Sequence, residues 1–270
     1  MYTETTDRHI LEREGCPLHY WLAGPQDRPL VVFTHGATAD HRMFDPQVPV
    51  IAQHYRMLTW DVRGHGLSRP MGARFTLRKT IDDLLAILDQ LECERAVFVG
   101  QSMGGNIAQE VAFLHPERVA ALVAIDCTCN TLRLTTSERL LVSLLPFMLG
   151  LYPYEWYKRQ VAHASVLKPE ARPYLYETCS LLSKAEIVMV LSELTACLHY
   201  EPDYRVMQPE LLLLGDHDRL GNIKKAMSLW AARDPHCRLV MVPDAGHGSN
   251  LDNPDFVNQQ LLAFLQEYAD

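Results

Sequence analysis

The feature that most constrains this chain is a short stretch near its middle. Residues 96–99 read Ala-Val-Phe-Val, a β-branched and aromatic run of strand length. Gly100-Gln101-Ser102-Met103-Gly104-Gly105 follows at once. The next residues place Ile107, Ala108, Val111, Ala112 and Leu114 at helical spacings. A Gly-x-Ser-x-Gly between a strand and a helix is a nucleophile elbow. The chain must reverse there in very few residues, with the serine in a strained backbone conformation. A β-carbon at Gly100 or Gly104 would crowd that turn. The hydroxyl of Ser102 then stands clear at the end of its strand. The helix N-terminus behind it offers unpaired N–H groups and a partial positive charge. An oxyanion formed beside Ser102 would be stabilised there. Five residues match by accident often enough that the rest of the chain has to support the reading.

Strand and helix patterns alternate on both sides of the motif. His9 to Arg13 and Leu18 to Leu22 predict a hairpin about Glu14-Gly15. Leu30 to Thr34 is a continuous apolar run, suited to a buried parallel strand, and it ends at His35-Gly36-Ala37. A helix is predicted over Phe44–Gln53 and a strand over Tyr55–Trp60. Phe75 to Leu91 is a further helix, with Leu77, Ile81, Leu84, Leu85, Leu88 and Leu91 in one apolar stripe. Strands are predicted at Arg95–Val99, Val119–Ile125, Glu210–Leu214 and Arg238–Val242, and a helix at Ile223–Ala232. Pro254 opens a last helix, with Asn253 as its N-cap. The alternation implies an α/β fold, a mostly parallel sheet with helices on both faces. Residues 128–205 break the rhythm: they are rich in Leu, Tyr and Met and punctuated by Pro146, Pro153, Pro169 and Pro173. The expected organisation is a core of residues 1–127 and 206–270 with an inserted helical cap, 128–205.

Composition narrows the partners. With 270 residues, 48% of them hydrophobic, the chain can bury a sizeable core in one domain. A net charge of −8 argues against nucleic acid or an anionic membrane as the main partner. Met1 to Ile10 is polar and lacks the hydrophobic core of a signal peptide. Leu140 to Leu151, the longest apolar patch, is interrupted by Ser143 and Pro146 and is too short to span a bilayer. A cytoplasmic protein is expected. Seven scattered cysteines, an odd number without a secretory signal, are expected to be free buried thiols.

A serine at its ordinary pKa is a poor nucleophile and needs a base, which in turn needs an orienting carboxylate. Behind a nucleophile elbow the acid and then the histidine follow in chain order, each after its own strand. Here Gly215-Asp216-His217-Asp218-Arg219 follows the strand 210–214, and Asp244-Ala245-Gly246-His247-Gly248 follows the strand 238–242. The glycines beside His247 suggest a loop free to swing toward the serine. Asp126, after the strand 119–125, is another position open to the acid. An oxyanion hole needs two N–H donors aimed at one point. Met103, after the nucleophile, and Ala37, after the strand 30–34, are the expected pair. His35, Asp40 and His41 are close in sequence, but no His-x-His or His-Glu-x-x-His accompanies them. A Walker lysine and a dinucleotide fingerprint are also missing. No metal and no cofactor are expected.

His35-Gly36, the segment Asp61-Val62-Arg63-Gly64-His65-Gly66-Leu67-Ser68, Gly100-x-Ser-x-Gly-Gly105, Gly215-x-x-Asp218 and Ala245-Gly246-His247 together resemble the α/β-hydrolase superfamily. The likeness runs from about residue 30 to the end, the cap apart. On these motifs the chain is most similar to the small serine esterases and lactonases, a group with 3-oxoadipate enol-lactonase-like and cofactor-free haloperoxidase-like members. The resemblance implies Ser102 as nucleophile, Asp218 as acid and His247 as base. A serine in the elbow, where an aspartate would serve a haloalkane dehalogenase or an epoxide hydrolase, excludes both. Arg63 and His65 are expected to support the fold. The implied activity is hydrolysis of a small-molecule ester or lactone through an acyl-enzyme. Acyl transfer or perhydrolysis at the same triad is the alternative, and a receptor that only binds is the rival of another class.

Leu144, Leu145, Phe147, Met148, Leu149, Leu151, Tyr152 and Trp156 make residues 140–157 unusually apolar. A cap across the strand C-termini would roof the cleft where Ser102 stands. Phe147, Met148 and Trp156 are therefore expected to line an apolar substrate pocket. The substrate is expected to be uncharged, largely apolar and of small to medium size.

Overall fold

The computed structural model describes residues 6–269. Met1–Thr5 of the polar N-terminal stretch and the Leu145 side chain lie outside the described residues. Eight strands form one sheet: β1 Asp7–Arg13, β2 Cys16–Ala23, β3 Leu30–Thr34, β4 Arg56–Trp60, β5 Ala96–Gln101, β6 Val119–Ile125, β7 Glu210–Gly215 and β8 Cys237–Val242. Their order is β1-β2-β4-β3-β5-β6-β7-β8. β2 is antiparallel to both β1 and β4, and the remaining pairs are parallel. The α-helices among the described residues are α1 Val48–Ile51, α2 Leu77–Gln90, α3 Met103–Leu114, α4 Thr136–Leu151, α5 Tyr154–Ser165, α6 Arg172–Ser180, α7 Lys184–Ala196, α8 Ile223–Arg233, α9 Ser249–Asp252 and α10 Pro254–Tyr268.

Local chemistry accounts for most of these boundaries. Glu14 (φ 49°) and Gly15 (φ 75°) both take positive φ between the paired Arg13 and Cys16, as a tight two-residue hairpin turn requires. Thr76 caps α2 by accepting from Lys79 N at 3.2 Å, and Asn253 caps α10 by accepting from Phe256 N at 3.4 Å. The helix expected over Phe44–Gln53 is instead a 3₁₀ turn, His41–Phe44, followed by the single turn α1. Pro46 and Pro49 remove two N–H donors from that stretch. The side chain of Gln47 is drawn inward, donating to the carbonyl of Asn250 at 3.2 Å.

Side chains alternate between the two faces of the sheet. Val32, Leu58, Phe98, Leu122 and Leu212 pack against α2, α3 and α8, whereas Val31, Phe33, Val97, Val99, Leu211 and Leu213 pack against α1 and α10. With both faces covered, the parallel strands deliver their C-terminal loops to one edge. Four helices, α4 to α7, run between β6 and β7. Capping boxes at Thr135/Glu138 and Ser183/Glu186 start α4 and α7. The returning chain is bonded to the departing one, His199 N to Asn130 O at 2.8 Å and Glu201 N to Thr131 O at 3.2 Å. Among the described residues no helix is long and apolar enough to cross a membrane. All seven cysteines are free.

Candidate active site

The elbow is built as its glycines require. Ser102 has φ 48° and ψ −111°, a strained position for a residue with a side chain. Its N–H donates to Ile125 O at 2.9 Å and its carbonyl accepts from Asn106 N at 3.0 Å, so the strained residue is fixed on both sides. A β-carbon on Gly100 would overlap the backbone of Gly104, and one on Gly104 would overlap the carbonyl of Thr34. Met103 is the first residue of α3, where an N–H has no intrahelical partner. Ala37, from the loop after β3, lines the same cavity as Ser102.

Asp218, Asp216 and Asp126 all lie after strands near His247, and the geometry separates them. Asp218 is buried, and its Oδ2 lies 3.0 Å from His247 Nδ1. Its other oxygen accepts from Leu220 N at 2.8 Å. Asp216 pairs instead with His217 Nδ1 at 2.6 Å and accepts from Ala245 N at 3.1 Å. Asp126 is fully buried and accepts from Gly215 N at 2.8 Å and from Ser249 N at 2.9 Å. One of these donors ends β7, whose loop carries Asp218, and the other lies two residues beyond His247. Burial pushes the Asp126 carboxyl up to about 7.

The loop carrying His247 is not free to swing. The carbonyl of His247 accepts from Gln101 Nε2 at 2.7 Å. Gly246 N donates to Asp252 Oδ2 at 2.8 Å, and Gly248 N donates to Ser165 O at 2.6 Å. The glycines serve close packing: a β-carbon on Gly248 would crowd Val166, one on Gly246 would press on the carbonyl of Ser165, and one on the facing Gly215 would overlap the carbonyl of Gly246. Gly36 likewise leaves room for the side-chain oxygen of Gln101.

Ser102 and His247 open into a cavity of about 420 Å³. Ala37, Thr38, Ala39 and Met43 form one wall, and Trp156, Tyr157, Gln160, Val161 and Ala164 of α5 form another. Leu149 and Tyr152 also line it, and Tyr152 stacks on Trp156 with ring centroids 4.8 Å apart. Of the pocket residues expected from sequence, Trp156 lines the cavity. Phe147 and Met148 do not; they lie on the outer side of α4, Phe147 67% exposed. Neighbours on a helix point about 100° apart, so Leu149 reaches inward in their place. Apart from His247 itself, no ionisable acid or base of the Asp, Glu, Lys or Arg type lines the cavity among the described residues.

Arg63 and His65 stand outside this cavity. Arg63 is fully buried and forks onto Asp83 through Nε at 2.6 Å and Nη2 at 2.7 Å. Burial pulls the His65 imidazole down to about 3 and so keeps it neutral. Asp40, His41 and Asp61 bring three possible ligand atoms within 4.8 Å of one another. Their oxygens are already committed: Asp61 accepts from His41 Nδ1 at 2.7 Å and Leu67 N at 2.6 Å, and Asp40 receives the Arg42 guanidinium at 2.8 Å. This cluster ties loops together.

Residues 31–260 match the alpha/beta hydrolase family, and the chain belongs to that family. Among curated relatives it is 27% identical to "Putative carbamate hydrolase RutD" of Caulobacter vibrioides, over 92% of this chain and 95% of that one. It is 26% identical to 3-oxoadipate enol-lactonase 1 of Acinetobacter baylyi, over 95% of this chain and 96% of that one. Among solved structures, a thermophilic esterase from Thermogutta terrifontis superposes with a TM-score of 0.82 at 21% identity, covering 98% of this chain and 100% of the esterase. That last likeness is one of fold.

Proposed function

We propose that the protein is a serine hydrolase of carboxylic esters or lactones. The observation that carries this reading is the 3.0 Å contact between His247 Nδ1 and Asp218 Oδ2, in a cavity that also holds the strained Ser102. An ionised carboxylate only accepts, so Asp218 accepts the hydrogen bond of His247 Nδ1–H, which fixes the tautomer and leaves the Nε2 lone pair to act as a base. His247 removes the proton of Ser102 as Oγ attacks the carbonyl. The Ala37 and Met103 amides hold the oxyanion. His247 then hands the proton to the leaving oxygen, and the acyl-enzyme remains. Water, activated by the same imidazole, releases the acid and restores Ser102.

The helices α4 to α7 serve as the cap, and α5 sets the substrate class. An apolar cavity without a fixed counter-charge favours an uncharged acyl group, because a carboxylate would be desolvated there without a partner. The two curated relatives bear names of enzymes that act on a carbonyl flanked by a heteroatom, which agrees with this reading. The test is a turnover screen of the purified protein on activated esters of graded acyl length and on a lactone panel. Turnover of esters or lactones is expected, and its loss in His247→Ala. Full activity in His247→Ala, or a preference for charged acyl groups, would contradict it.

A further inference from the structure

The loop of His247 is bolted to the cap through a carboxylate outside the triad. Asp252, in α9, is 1% exposed. Its Oδ2 accepts from Gly246 N at 2.8 Å, next to His247, and from Leu167 N at 2.9 Å. Its Oδ1 accepts from Lys168 N at 2.9 Å. On the other side of His247, Gly248 N donates to Ser165 O at 2.6 Å. Both neighbours of His247 are thus held by residues 165–168, where α5 ends, directly or through one carboxylate. The same helix supplies Trp156, Tyr157, Gln160 and Val161 to the cavity wall. A buried carboxylate that accepts three N–H bonds is costly to disturb, because each donor left unpaired loses its compensation.

We propose that Asp252 is a positioning residue that makes the α5 wall and the His247 loop one mechanical unit. The proposal rests on the serine-hydrolase reading for its effect on rate. Substrate seated against α5 is then felt at the base. Extra acyl contacts on Trp156 and Val161 should raise kcat as well as lower KM, since remote binding energy is spent on placing the reacting groups.

Two variants test this from opposite sides. Asp252→Asn keeps the shape but turns one acceptor into a donor facing an N–H. Lys168→Pro deletes a single cap-side donor and leaves the base loop untouched; Lys168 already has φ −67°, the angle a proline ring imposes. Active sites are counted by organophosphonate titration, and kcat per titrated site is measured along an ester series and across pH. Hydrogen exchange of residues 245–249 is followed on the same proteins. Asp252→Asn is expected to lose on the order of 100-fold in kcat per site, with the acid limb of the pH profile displaced. Lys168→Pro should lose less in the same direction, flatten the dependence of kcat on acyl length, and speed exchange around His247. If Asp252→Asn does not fold, Lys168→Pro decides alone. Wild-type kcat per site and an unmoved acid limb in the folded variants would overturn the proposal, even if their melting temperature fell. Should the wild type neither turn over esters nor take the label, the hydrolase reading fails. The exchange data then still decide whether the cap holds the loop: unchanged exchange in Lys168→Pro means it does not.

Discussion

Gln101, the residue before the elbow serine, donates its side-chain amide to the carbonyl of His247 at 2.7 Å. The strand that carries the proposed nucleophile therefore also holds the backbone of its proposed base. Gln101 is buried against Gly36, so no water can easily replace the bond. Gln101→Leu should cost about 1 kcal/mol of stability, the net worth of one such hydrogen bond. It should cost more in function, about 10- to 100-fold in kcat, because the base is misplaced. Steady-state kinetics beside a thermal melt check both halves.

The three aspartates make a graded series. Asp218→Asn should lose on the order of 10⁴-fold in kcat, as removal of the orienting carboxylate of a triad does. Asp216→Asn should stay close to wild type, since it is only partly buried and its partners are the exposed His217 and the amide of Ala245, not His247. Asp126→Asn presents an amide N–H to a backbone donor and should destabilise the protein by about 1–3 kcal/mol. Its loss of kcat should fall between those of the other two. Parallel kinetics and denaturant titrations on the three variants decide the order.

Much of this was legible in the sequence because it is local. The elbow, the strand boundaries of β3 and β6 and the cap at Asn253 are all written in neighbouring residues. What could not be read depends on contacts distant in sequence. Gln101 and His247 are 146 positions apart, and Ser249 and Asp126 are 123 apart. Nothing in the segment Ala245–Gly248 announces that its glycines pack against β7 and the end of α5 rather than permit motion. The side of α4 that faces the cavity was equally hidden. Apolar residues cover most of that helix, so no stripe marks the inner face, and Leu149 rather than Phe147 or Met148 lines the cavity.

That assignment makes the cavity prediction specific. Along a straight-chain ester series, kcat/KM should rise with acyl length, by up to about 0.8 kcal/mol per seated methylene, and fall once the space is full. Trp156→Ala should move the maximum to longer chains. Phe147→Ala and Met148→Ala should leave it in place. A maximum shifted by Phe147→Ala but not by Trp156→Ala would contradict the cavity described here.

Glu210 offers a test of stability alone. It is 1% exposed, with Oε2 accepting from Trp230 Nε1 at 2.9 Å and Oε1 left without a partner. Burial, followed by the nearby charge of Asp234, pushes its carboxyl up to about 9, above the ordinary 4.5. The folded state therefore holds a proton that the unfolded state releases between those values. Stability from this group is complete below about pH 4.5 and is lost as pH rises toward about 9. Glu210→Gln carries no such proton. Its melting temperature relative to wild type should increase from pH 5 to pH 9 and level off beyond. A difference independent of pH across that window would refute the protonated Glu210.

The central claim is that Ser102 carries the acyl group during turnover. Rapid-quench mass spectrometry with an activated ester tests it most directly. The account predicts a transient mass increase equal to the acyl group, mapped to the peptide containing Ser102, formed and lost at rates that match kcat, and absent from folded Ser102→Ala. Turnover at the wild-type rate by Ser102→Ala, or an adduct on any other residue, would contradict it.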